Sequence, residues 1–77
     1  MAGNKKNLLG ERLILLREES GLTQEKLAEI FKTKKATISR YETGTRDPKL
    51  DTLIQFADFF KVSTDYLLGR TENRKRL

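Results

Sequence analysis

The 77-residue sequence has no cysteine, no histidine and no tryptophan, and it contains a single proline. Without cysteine there is neither a disulfide staple nor a thiolate metal site. Without histidine the commonest metal ligand and the commonest general base are both missing. No apolar run approaches the roughly 20 residues that a membrane-spanning helix needs, and nothing resembles a secretory leader. The expected location is therefore the cytoplasm, with no membrane partner. The Ser and Thr hydroxyls have no histidine to activate them, the carboxylates stand singly along helical stretches, and no glycine-rich loop cradles phosphate. The expectation is a protein that is not an enzyme, with no metal and no cofactor. A chain of this length buries only about 60% of its unfolded surface, so a single small domain is expected to depend on its hydrophobic core and on help from a second subunit.

What the chain does have is positive charge, unevenly spread. Lysine and arginine number 16 against 11 acidic residues, for a net charge of +5. Residues 32–49 hold six basic side chains (Lys32, Lys34, Lys35, Arg40, Arg46, Lys49) and two acidic ones (Glu42, Asp47), which makes that stretch +4 and the remainder +1. A basic patch on an otherwise balanced domain suits a polyanion, nucleic acid ahead of a membrane surface.

Hydrophobic spacing divides the chain into five short helices and no strands. Residues 1–7 are small, polar and basic and read as a loose arm, with Lys5 and Lys6 as alternative phosphate contacts. Over residues 8–19, Leu9, Leu13 and Leu16 recur at helical spacing, leaving Arg12, Glu18 and Glu19 off the apolar face and Ile14 or Leu15 partly exposed. Ser20 and Gly21 stop this helix. Thr23 is a good N-cap for a second helix whose inward face is Leu27, Ala28 and Phe31. After a turn at Lys32 and Thr33, a third helix starts at residue 34 or 35 and runs to Thr43. Its inward residues are Ile38 and Tyr41, its outward ones Lys35, Ala36, Ser39 and Arg40, and Gly44 ends it. Beyond the loop around Pro48, residues 50–60 form a fourth helix with Leu50, Leu53, Ala57 and Phe60 inward, Ile54 and Phe56 flanking. Ser63 caps a fifth helix through Leu68, Gly69 closes it, and residues 70–77 read as a frayed basic tail. The expected fold class is an all-α bundle over residues 8–69, with flexible tails at 1–7 and 70–77.

The segments GLTQEKLA (residues 21–28) and TISRYETG (residues 37–44), at this mutual spacing and between matching flanking helices, resemble the phage repressor and Cro-like helix-turn-helix family, the Xre-type regulators. The resemblance runs from Gly10 to Gly69. It implies a sequence-specific partner for double-stranded DNA, a repressor reading a pseudopalindromic operator as a homodimer, with the third helix in the major groove. It further implies that Gln24 grips phosphate and braces the reading helix, that Lys34, Lys35, Ala36, Ser39 and Arg40 contact base edges, and that Arg17 pairs with Glu42. Two positions depart from the family pattern. Lys32 stands where the family favours glycine, so it is expected to adopt a left-handed conformation at a cost of about 1–2 kcal/mol. Lys34 stands where a capping Ser or Thr is usual, so Thr33 is expected to cap the third helix one residue early.

Each residue also has a plainer role. Arg40 matches the O6 and N7 of guanine or pairs with an acid such as Glu42; Lys35 reaches guanine or phosphate; Ala36 meets a thymine methyl or serves close approach. Thr23 and Gln24, with the free N–H groups at the second helix's start, form one phosphate clamp; Thr37, Thr43, Thr45 and Arg46 form another, or Thr37 and Thr45 simply cap. Phe59, Tyr66, Leu67 and Leu68 are the candidates for a dimer interface, with packing on the core as the alternative, above all for Leu67. A different class remains, an antitoxin-type module that binds a partner protein and autoregulates its operon. The short segment RTENRKRL offers little surface for that role.

Overall fold

The computed structural model describes residues 8–76. It contains five helices, α1 (Leu8–Glu19), α2 (Gln24–Ile30), α3 (Lys35–Thr43), α4 (Leu50–Phe60) and α5 (Thr64–Leu67), and no strand among the described residues. The arm expected over residues 1–7, with Lys5 and Lys6, lies outside the described residues, as does Leu77. None of the described helices is long and apolar enough to cross a membrane.

The helix boundaries follow local chemistry. Thr23 Oγ1 accepts a hydrogen bond from Lys26 N at 3.0 Å, and Ser63 Oγ accepts one from Tyr66 N at 3.0 Å. Each satisfies one of the N–H groups that a helix start leaves free. Gly44, at φ +84°, ends α3 with its N–H on Arg40 O. Gly69 is required on two counts. It sits at φ +81°, and a Cβ there would lie 2.5 Å from Leu8 Cδ1, so only glycine lets the end of α5 approach the start of α1.

Packing assigns the core. α3 lies against both α1 and α2, while α5 bridges α1 and α4. Leu13, Leu16, Leu27, Ala28, Ile38, Tyr41, Leu53, Phe56, Ala57, Val62, Tyr66 and Leu67 form one continuous cluster, with Leu9, Leu22, Phe31 and Phe60 packed around it. The centre is Phe56, expected only to flank the α4 stripe but fully enclosed. Its ring lies 4.5 Å from that of Phe31 after α2 and 6.0 Å, edge-on, from that of Tyr41 in α3. One α4 side chain thus supports both helices of the helix-turn-helix. Leu50, expected inward, is 72% exposed. It has the right spacing but occupies the first turn of α4, which no other element covers.

Arg12 is the second correction. Expected off the apolar face of α1, it is 8% exposed. It sits three residues after Leu9 and four before Leu16, so the helical repeat turns it toward the core. Its Nη1 donates to Tyr66 O and, at 2.6 Å, to Thr71 O. The guanidinium also lies over the Tyr66 ring, 4.2 Å from its centroid. Tyr66, expected at a partner surface, is accordingly buried under Arg12.

Residues 70–76, which carry no hydrophobic periodicity, run back across the bundle as a strap. Arg74 O accepts from Ser63 N at 3.0 Å, and the Arg74 guanidinium grips both carboxylate oxygens of Glu19 at 2.8 and 2.9 Å. Arg76 reaches Asp58 at 2.6 Å.

Candidate nucleic-acid interface

The turn between α2 and α3 is built around Lys32. Its φ of +56° is the left-handed conformation that the departure from glycine implied. Thr33 N then bonds back to Ala28 O at 2.9 Å, closing α2 and aiming the chain into α3. Ala28 is 3% exposed, the small residue that lets the two helices meet closely. Thr33 does not cap α3. The N-cap is Lys34, in an extended conformation with no side-chain cap bond. A lysine side chain carries no acceptor, so the first N–H groups of α3 have no side-chain acceptor at the N-cap.

α3 has two distinct faces. Ile38, Tyr41 and Glu42 are buried, whereas Lys35, Ala36, Arg40 and Thr43 are exposed and Ser39 is half-buried beside them. At 100° per residue the outward set spans an arc of roughly 140°. Lys35, Ala36, Ser39 and Arg40 thus share one solvent-facing surface with Lys34 at its leading end. None of Lys32, Lys34, Lys35, Arg40, Arg46 or Lys49 forms an ion pair with another described residue. Arg40 in particular does not pair with Glu42, which is buried.

Glu42 is engaged elsewhere. Arg17 Nε donates to Glu42 Oε2 at 2.7 Å and Arg17 Nη2 to Glu42 Oε1 at 3.2 Å, a two-pronged ion pair joining α1 to α3. The hydrogen bond to Glu42, with its charge and that of Glu18, raises the Arg17 pKa above its ordinary value against the opposing effect of burial. Arg17 Nη1 also donates to Leu22 O at 2.9 Å, fixing the chain just before α2. Gln24 Nε2 donates to Glu42 Oε1 at 2.8 Å. The Glu42 side chain is 3% exposed and that of Arg17 13%, so this pair is far better shielded from water than a surface ion pair. Removing one partner of such a pair costs about 3–5 kcal/mol.

The remaining phosphate candidates surround this face. Thr23 uses an oxygen lone pair for the N-cap and retains its hydroxyl hydrogen. Thr37 is half-buried and Arg46 exposed. Thr43 and Thr45 close over the C-terminal end of α3. Their hydroxyl oxygens lie 3.2 Å apart, and each can donate to Arg40 O, at 3.3 and 3.5 Å. Each hydroxyl has one hydrogen, so contacting phosphate requires it to turn away from Arg40 O. Of the candidate interface residues, Phe59 (40% exposed) packs edge-on against Phe31 beside the α2–α3 turn, its ring 5.5 Å away, Leu68 is 46% exposed, and Tyr66 is core. The sequence did not announce that Gln24 and Arg17 share one carboxylate. It offered only the two residues at matching places.

A family model described as helix-turn-helix matches residues 13–67. The chain belongs to the Xre/Cro-like helix-turn-helix family. Within it, the HTH-type transcriptional regulator ImmR of Bacillus subtilis (strain 168) is 43% identical over 68 residues, 88% of this chain and 54% of ImmR. The uncharacterized HTH-type transcriptional regulator YobD of the same organism is 40% identical over 63 residues, 82% of this chain and 56% of YobD. The HTH-type transcriptional activator BcrR of Enterococcus faecalis is 37% identical over 75 residues, covering 87% of this chain and 37% of BcrR. The chain spans about half the length of ImmR and YobD. This helix-turn-helix family serves DNA-binding transcription regulation rather than catalysis, and its ligand is double-stranded DNA.

Proposed function

We propose that this chain is a transcriptional repressor that reads a pseudopalindromic operator as a dimer, each copy placing α3 in the major groove. One observation carries the base-reading assignment. The exposed face of α3 presents Lys35, Ala36, Ser39 and Arg40 without an acidic partner, while the single acid of α3, Glu42, is buried and held by Arg17. Arg40, with its planar fork, is assigned to guanine O6 and N7. Lys34 and Lys35 follow the leading end of the helix toward base edges or phosphate, Ala36 meets a thymine methyl, and Ser39 is small enough to admit the duplex. Thr23, Gln24, Thr37 and Arg46 hold phosphate and set the docking, and Thr43 and Thr45 join them once their hydroxyls turn. Residues 8–69 make up the DNA-binding unit, braced by residues 70–76.

Repression is favoured over activation on physical grounds, although BcrR is named an activator. Occupying a promoter blocks polymerase without any further surface. Dimerisation is favoured because one short helix makes few contacts, and two half-sites about one helical turn apart add theirs together. Phe59 and Leu68 are the exposed apolar residues assigned to the interface. A protein bound to chromosomal DNA works in the cytoplasm, on the nucleoid.

Selection of bound duplexes from a random pool tests this directly. The expected outcome is a two-fold symmetric site, bound less selectively by Arg40→Ala and more weakly at every sequence by Gln24→Ala. Unchanged selectivity after Lys35 and Arg40 are both replaced would remove the base-reading assignment. A monomer in sedimentation, even on the selected duplex, would remove the dimer.

A further inference from the structure

The three-way junction of Arg17, Glu42 and Gln24 has a consequence for how DNA is gripped. A glutamine carboxamide is usually ambiguous, since its oxygen and nitrogen can exchange places by a half-turn. Here the partner removes the ambiguity. A carboxylate oxygen facing a donor accepts, and both Glu42 oxygens already accept from Arg17. The Gln24 amide must therefore turn its NH2 group inward, as the 2.8 Å contact from Nε2 to Glu42 Oε1 shows. One Nε2 hydrogen is committed, and the amide plane is fixed with its second hydrogen on the remaining side. Gln24 itself is only half-buried.

We propose that Glu42 is a positioning residue for DNA binding: it contacts no DNA but holds the Gln24 carboxamide in the orientation that donates its second N–H to a backbone phosphate oxygen. This rests on the assignment of Gln24 to phosphate made above. The arrangement also accounts for a carboxylate on the reading helix. An acid beside the DNA backbone would repel it, but Glu42 is turned away and neutralised by Arg17. The cation that neutralises it ties down Leu22 O at the same time, so the chain before α2 and the first side chain of α2 are anchored to one group. Gln24 then meets the duplex with its rotamers already restricted, and less ordering is left for binding to pay.

Two measurements on the intact chain test the inference. The first needs no DNA. The chain has two glutamines, Gln24 and Gln55, and Gln55 is exposed. In side-chain amide NMR spectra, one Gln24 hydrogen is expected to exchange with water much more slowly than either hydrogen of Gln55, which serves as the internal reference. The second is a double-mutant cycle read as affinity for a duplex selected by the wild-type chain. Glu42→Gln keeps the shape but lets the amide flip, and should weaken binding about threefold to tenfold, the range for immobilising one flexible side chain. In the Gln24→Ala background the same change should cost less than about twofold, whereas a purely architectural role for Glu42 would cost the same in both backgrounds. Equal losses, or Gln24 hydrogens that exchange like those of Gln55, overturn the proposal. If Glu42→Gln does not fold, Glu42→Asp, which shortens the reach to Gln24, takes its place in the cycle with the same expected outcomes. If the wild-type chain selects no duplex at all, the repressor assignment fails and takes this one with it; binding with equal losses overturns the positioning role only.

Discussion

Residues 32–49 and residues 70–76 are both dense in lysine and arginine, yet their charges meet different surroundings. In the first stretch six cations stand without an ion pair among the described residues. In the strap, Arg74 grips Glu19, Arg76 reaches Asp58, and Arg70 lies 3.9 Å from Asp65. The strap's own acid, Glu72, meets the buried Arg12 at 3.2 Å. A cation paired with an acid of the same molecule contributes little field at a distance, whereas unpaired cations add up to the potential that draws a polyanion. Composition alone would rank the two stretches alike. The pairing marks the first as a surface for a ligand and the second as a brace for the fold.

Substitutions can break this contrast. The largest effect is expected from Arg12→Met, which strands the carbonyls of Tyr66 and Thr71 and releases the strap. A loss of about 2–4 kcal/mol, or a drop of roughly 10–25 °C in Tm, should appear in thermal unfolding, while DNA affinity of the folded fraction stays the same. A marked loss of affinity with the fold intact would mean the strap belongs to the DNA surface after all. Next comes Arg40→Ala, expected to remove about 1–3 kcal/mol of discrimination between the selected duplex and one altered at a single guanine. Arg76→Ala should leave that discrimination untouched.

The salt dependence of affinity gives a finer comparison. Replacing Lys35 or Arg46 with alanine should lower the slope of log affinity against log salt by about 0.9 for each phosphate that is no longer neutralised, and Arg74→Ala should not change it. The brace has its own pH response. The hydrogen bond from Arg74 lowers the Glu19 carboxyl below its ordinary pKa. A depressed pKa means that the ion pair stabilises the fold above the usual carboxylate range and that this stabilisation disappears as pH falls through the lowered value. The Glu19 carboxyl signal should therefore titrate lower in the wild-type chain than in Arg74→Ala. The smallest effect concerns the turn. Lys32→Gly should raise stability by about 0.5–1 kcal/mol, as relief of left-handed strain outweighs the added freedom of the unfolded chain. Lys61, at φ +58° after α4, is the matched control outside the basic stretch.

The elements were legible because their signals are local. Thr23 and Ser63 are caps with hydroxyl acceptors, Gly44 suits a left-handed end, and the leucine spacing of α1 repeats over several turns. The left-handed Lys32 followed instead from the family resemblance, which places a glycine-favouring turn position there. Arg12 carries two opposed signals: its charge favours solvent, but its register with Leu9 and Leu16 points inward, and register prevails because Tyr66 and Thr71 supply acceptors from distant parts of the chain. The choice between Leu50 and Phe56 could not be made from α4 alone. Both fit a helical stripe, and which one is enclosed depends on where Phe31 and Tyr41 arrive from distant parts of the chain. The failure of Thr33 to cap α3 turns on a single residue of register in the turn, finer than spacing resolves.

The same division holds for the site. Residue order was enough to define the outward face of α3, because a rigid helical repeat converts spacing directly into direction. It was enough, too, for the net charge of that stretch. Which charges are neutralised was settled by packing in three dimensions, since Glu19 and Arg74 are 55 residues apart in the chain and Arg17 and Glu42 are 25 apart. Ion pairs and shared carboxylates form between elements brought together by packing, and no local pattern records which of many cations each acid will meet.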